Sequence, residues 1–245
     1  MLSLPPVRKL VIELRYKPEL SFYGRMDTVG MKLGEQFPDW ERSPLTVEVR
    51  NKKKHRRVFL CWNRCFYEAD LESADPNREF ECAQGTLCDV CSALSVHELK
   101  RVGVRQWFAC DTNKAFAAMV DEITDRFLHR GEELRAILTD NVHDVAYVVD
   151  YETHEGWKYH LRLGPMTKEQ WFQVVHYEPG IFVRLDEDAS TTFEEYRKTL
   201  PDNFLFVDID CYQDEVPTDR FGELVTTFRR RSHEIVSKLI RYCRE

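Results

Sequence analysis

The charged residues that share strand faces are the first candidates for chemistry. Arg15 and Lys17, Arg50, Arg101 and Arg105, and Lys158 and Arg162 fall on the polar sides of segments that alternate polar and apolar residues. Glu13, Glu48, Asp208 and Asp210 occupy the polar sides of the same or similar segments. Curved into one groove or tunnel, these faces would set seven cations against four carboxylates. Low-dielectric walls would focus that field on an anion, and arginine pairs grip phosphate in bidentate fashion. The carboxylates would balance the cations or hold a divalent ion. An antiparallel sheet with one face in water carries the same pattern without any ligand.

A second candidate is Lys52-Lys53-Lys54-His55-Arg56-Arg57, placed at a hairpin tip and followed by Trp62, Phe66 and Tyr67. A basic finger with nearby aromatics can hold phosphates and stack bases, which makes RNA or DNA a candidate partner. A solvated turn is the plain alternative. Among the cysteines, Cys82, Cys88 and Cys91 include a Cys-x-x-Cys that could ligate zinc or exchange disulfides, with Cys61 and Cys65 as the nearby second pair. However, Leu87, Val90, Cys91 and Leu94 recur at helical spacing, which makes Cys91 a small buried hydrophobe.

Catalytic signatures are missing. The chain has no Walker loop, no Gly-x-Ser-x-Gly and no His-Glu-x-x-His. His143, His154, His160 and His176 are scattered, and Asp208-Ile209-Asp210 lacks the Lys or Glu partner of a Mg²⁺-dependent nuclease. No catalytic residue, metal or cofactor is assigned, and the balance leans away from an enzyme.

These residues must be held by a sizeable fold. The chain has 245 residues, 43% hydrophobic and 31% charged, which excludes a disordered or low-complexity protein. Its net charge of −7 argues against a surface coated in basic residues, though not against a local patch. No apolar run spans a bilayer and no secretory leader is recognised, so a reducing cytoplasmic setting without a membrane is expected.

Alternation predicts strands over Leu10–Tyr16, Leu45–Arg50, Arg57–Trp62, Phe66–Leu71, His97–Cys110, Val142–Tyr151, Trp157–Leu163, Ile181–Leu185 and Phe204–Tyr212. Helical spacing and capping predict helices over Phe22–Phe37, Pro76–Leu94, Asn113–His129, a short one after Thr167, another over Phe193–Lys198, and a long one from Thr218 to the end, with Gly131–Asp140 a helical piece or loop. The expected class is α+β: mainly antiparallel curved sheets packed by long helices. The layout suggests two similar halves, 1–130 and 141–245, within one unit.

Two resemblances follow from motifs. Glu13-Leu14-Arg15-Tyr16-Lys17 is similar to the Glu-x-Glu-x-Lys opening strand of triphosphate-tunnel enzymes, with arginine in place of the second glutamate. Over most of its length the chain resembles a sporadically distributed family of uncharacterised prokaryotic proteins. That resemblance rests on the opening Val11-Ile12-Glu13-Leu14-Arg15-Tyr16, on Phe37-Pro38, on the central Arg101-Val102-Gly103-Val104-Arg105, and on Val207-Asp208-Ile209-Asp210-Cys211-Tyr212 before a closing helix with His233. Gln106-Trp107 stands where that family has Tyr and Asn. The resemblance implies an accessory or defence setting and supplies no catalytic residues. The expectation is therefore a non-enzymatic interaction module that binds a protein or nucleoprotein partner, its oligomeric state left open. The alternative is a phosphate-recognising protein, acting either through the 52–57 hairpin or as a nucleotide-processing enzyme.

Overall fold

The computed structural model describes residues 6–18, 21–71, 76–127, 142–177 and 198–244. The strands expected at 181–185, the helix expected at 193–198 (apart from its last residue) and the segment 131–140 lie outside them. Among the described residues nine strands form one open antiparallel sheet: β1 Val7–Tyr16, β2 Asp39–Arg42, β3 Thr46–Asn51, β4 Arg56–Cys61, β5 Arg64–Asp70, β6 Glu98–Cys110, β7 Tyr147–Glu152, β8 Lys158–Thr167 and β9 Asn203–Pro217. Their order is β2-β3-β4-β5-β1-β6-β9-β8-β7. The fold is thus α+β, as expected. The order ends on two edges, β2 and β7, so among the described residues the sheet does not close into a tunnel.

Alternation explains the layering. Leu10, Ile12, Leu14 and Tyr16 of β1 are buried on one face, together with Val102 and Val104 of β6 and Val207, Ile209 and Cys211 of β9. Against this apolar face pack α1 Phe22–Leu33, α2 Pro76–Leu94, α3 Phe116–Phe127 and the closing helix, which we number α5, Phe221–Arg244. Helical periodicity supplies their inner stripes: Phe22, Met26, Val29 and Leu33 from α1, and Phe221, Leu224, Val225, Phe228 and Val236 from α5. Val7, Lys9 and their β6 partners mark a register shift, where β1 twists at its start.

The opposite face is mixed. At one end α4 Lys168–Tyr177 covers it, with Trp171 packed edge-on against Trp107, Phe204 and Phe206 in a second, smaller core. The start of α4 is held by a reciprocal capping box: the Gln170 amide donates to Thr167 Oγ1 at 3.1 Å, and the Thr167 amide donates to Gln170 Oε1 at 2.8 Å. Gly164 of β8 is needed where it stands, because a Cβ there would lie 2.5 Å from the Val145 carbonyl oxygen.

Between the small core and the wet part of that face lies a buried charge cluster. Lys9 pairs with Glu68 and, at 3.0 Å, with Asp70, while Arg57 reaches Glu68 at 2.5 Å. Lys9, Glu68 and Asp70 are all buried. Burial pushes the Glu68 and Asp70 carboxyls up, and the Lys9 ammonium opposes the rise. Replacing Lys9 by methionine would keep the packing stem but strip the buried Asp70 of its ion pair and leave Glu68 with Arg57 alone. We expect Lys9→Met to lose about 3–5 kcal/mol of stability, the cost of removing one partner of a buried ion pair, measured by urea unfolding at pH 7.

Candidate functional site

The polar face can be traced strand by strand from the register. One row crosses all nine strands: Asp39, Arg50, Arg57, Glu68, Val11, Arg105, Asp210, His160 and Asp150. A second crosses Glu41, Glu48, Phe59, Phe66, Glu13, Gly103, Tyr212, Lys158 and Glu152. On either side run Arg64, Arg15, Arg101 and Asp214, and Asp70, Lys9, Trp107, Asp208, Arg162 and Val148. Arg15, Arg50, Arg101, Arg105, Lys158 and Arg162 therefore do share one face, along with Glu13, Glu48, Asp208 and Asp210.

The cations there are answered by fixed carboxylates. Arg105 makes a bidentate pair with Asp208, at 2.9 and 2.7 Å. Arg101 and Lys158 converge on Asp214, each at 2.8 Å. Although partial burial works to raise the Asp214 carboxyl, its two hydrogen bonds hold it below the usual range. Arg15 meets Glu13 at 2.5 Å, and Arg50 meets Glu48 at 2.8 Å. His160 lies 2.7 Å from Asp150. Arg162 is exposed and has no ion-pair partner among the described residues. Counting Asp39, Glu41, Glu68, Asp70, Asp150, Glu152 and Asp214, the described carboxylates on this face outnumber its cations. The excess of positive charge expected from the sequence is not there.

Aromatic rings run through the middle of the face. Phe59 and Phe66 stack with centroids 5.1 Å apart, and Arg57 and Arg64 lie over their rings. Arg101 sits 4.2 Å above the Tyr212 ring. Gly103 marks neither a bulge nor a close approach: the register runs unbroken through it, and a Cβ there would make ordinary contact with Tyr212 Cβ at 3.6 Å.

The other predicted residues lie elsewhere. Lys17 sits beyond β1 and pairs with Glu98 at 2.8 Å. The hairpin run divides. Lys52, Lys53 and Lys54 form an exposed 3-10 turn, closed by His55 at φ 51°. Beyond it, strand alternation sends the next two side chains to opposite faces. Arg56 goes to the helical side and meets Glu79 of α2 at 2.5 Å, where the Tyr67 hydroxyl also donates to Glu79. Arg57 goes to the polar face and is held by Glu68. Both arginines bind carboxylates of this chain, and the three lysines form the exposed tip.

All eight thiols are free, and no cluster of three or more metal ligands occurs among the described residues. Cys91 is buried, and burial pushes its thiol up to about 12, in keeping with a packing role. No family model matches the chain, and neither does any curated protein.

Asp210 stands apart in this lattice. It makes no hydrogen bond or ion pair within reach among the described residues, and burial lifts its carboxyl to about 6, with Arg105 opposing and Asp208 and Glu13 adding to the rise. Between its unfolded value, near 4, and about 6, the folded chain keeps a proton that the unfolded chain has released. Stability therefore falls as pH rises through that window and stays lower above it. We expect Asp210→Asn to be more stable than the parent by about 1–3 kcal/mol at pH 7.5 and equal to it near pH 3.5, measured by denaturant unfolding at the two pH values.

Proposed function

We propose that the protein is an interaction module that docks a protein partner on the polar face of its sheet, beyond the end that α4 covers. The observation that carries this reading is the balance of charge there: Arg105–Asp208, Arg101–Asp214–Lys158 and Arg15–Glu13 are satisfied within the chain. A polyanion gains little from such a surface, because all but one of the predicted cations on it, Arg162, already have their counter-charge. A protein surface with its own alternating charges gains orientation and register from it. The stripe of Phe59, Phe66 and Tyr212, overlaid by arginines, has the composition of an interface anchor. The pairs also hold their side chains in place before binding, which lowers the entropy lost on docking.

The accessory or defence setting implied by the resemblance fits such a module and is part of the proposal. A nucleotide-processing enzyme is the weaker reading, since Asp208 is committed to Arg105 and neither aspartate has a metal-ligand cluster around it among the described residues.

The test is capture from the native cell with the tagged chain, read by quantitative mass spectrometry and compared with Arg162→Glu and Tyr212→Ala. Arg162 has no pair to break, and Tyr212 is partly exposed, so both variants should melt within a few degrees of the parent. The expected result is a partner recovered with the parent and reduced at least about tenfold with each variant, as for truncated interface anchors. A partner retained by both variants, or phosphodiesterase or triphosphatase activity abolished by Asp208→Ala and Asp210→Ala, would overturn the proposal.

A further inference from the structure

The closing helix carries a charge pattern unlike that of the sheet. Along one flank of α5 lies a groove of about 650 Å³ whose lining includes Arg229, Arg230, His233, Glu234, Lys238 and Arg241. These positions repeat at three and four residues, so they form one continuous helix face. The lining runs from Thr226 to Arg241, about 22 Å at 1.5 Å per residue. It sets four cations and a histidine against one carboxylate, in a chain whose net charge is −7. Arg230, Lys238 and Arg241 have no ion-pair partner among the described residues, although most cations of the sheet face are paired. Lys238 and Arg241 near the C-terminal end also suit the helix dipole, but Arg229 and Arg230 lie in the first half of the 24-residue helix, where that explanation fails.

Two contacts fix the groove. Arg229 lies 5.5 Å from the centre of the Phe80 ring on α2, and the His233 ring meets Phe108 of β6 edge-on. His233 Nε2 is buried with no hydrogen-bond partner. Phe80 follows Glu79, the residue that anchors Arg56 at the base of the lysine turn. The groove and the exposed Lys52–Lys54 turn therefore both abut the first turn of α2.

We propose that this α5 groove binds the phosphodiester backbone of a nucleic acid. Cations spaced along a trough of this length match consecutive phosphates, and among its described lining residues there is no Phe, Tyr or Trp to stack on bases, the one ring there being that of His233, turned in against Phe108. Recognition is therefore of the backbone, not of sequence. The site is separate from the polar sheet face and does not depend on it.

The test is fluorescence anisotropy of the full chain with a labelled 20-nucleotide single strand and the matching duplex, from 25 to 200 mM salt. A log K against log salt slope of about −3 to −4 is expected for four neutralised phosphates. The triple variant Arg230→Glu/Lys238→Glu/Arg241→Glu should lose more than tenfold in affinity and about three from the slope, with an unchanged melting temperature, since all three side chains are exposed. Single-strand preference and duplex preference both support a backbone site and identify its source. No binding of either at 25 mM salt, binding unaltered by the triple variant, or tighter binding of a polyglutamate peptide of equal charge would overturn the proposal.

Discussion

The pairing of β6 with β9 is the constraint on which the molecule depends. These are the two longest strands, and their register runs from Glu98 opposite Pro217 to Cys110 opposite Leu205. Side chains alternate faces, so a slip of one residue would drive Arg101 and Arg105 under the helices and bring Val102 and Val104 into water. In the observed register Val102, Val104, Val207, Ile209 and Cys211 lie beneath α5, and every charged side chain of both strands from Arg101 to Asp214 points the other way. The strands on either side inherit this division through β1 and β8.

The electrostatics follow from that division. A face carrying this many charges cannot be left uncompensated near a dry core. The most buried members are accordingly the most completely paired: Lys9 with Glu68 and Asp70, and Asp208 with Arg105. Such pairs add little net stability, because desolvation offsets their attraction. Their effect is to fix geometry, and a fixed mosaic of both signs suits a specific protein contact better than a general attraction for anions. The outer flank of α5 has the opposite property, with four cations against the single carboxylate of Glu234. The two surfaces are thus suited to two chemically different partners.

Much of the fold was legible in the sequence, because alternation and helical spacing are local signals. β1, α2 and β6 stand within a few residues of their expected bounds, and the turn at Lys52–Lys54 falls where the basic run suggested. Local signals also failed in identifiable places. Asp39-Trp40-Glu41-Arg42 has no alternating apolar residue, so β2 was invisible; it exists because β3 offers it a partner. Leu45 was expected beside Val47 and Val49 but precedes β3 and is exposed. α1 stops at Leu33, short of Pro38, and Phe37 reaches the core from the turn that follows.

The site was only half legible. Which cations share a face can be read from parity within each strand, and that reading held for six of the seven, all but Lys17. Which carboxylates answer them depends on strand order, and no periodicity encodes that. Asp214 lies past the expected end of its strand, and Asp150 and Glu152 reach the face only because β7 pairs with β8. The division of Arg56 from Arg57 was available from alternation alone.

One register places all this charge on a single face, and a cross-link between β6 and β9 reads that register. A Cβ at Gly103 would lie 3.6 Å from Tyr212 Cβ, within the usual range for a disulfide. Gly103→Cys combined with Tyr212→Cys, mildly oxidised while folded and mapped by mass spectrometry, should give a bond between positions 103 and 212. The native thiol of Cys211, one residue away and buried under α5, serves as the internal control. A bond from position 103 to Cys211 instead, or no bond in the folded chain, would contradict the register and with it the polar face.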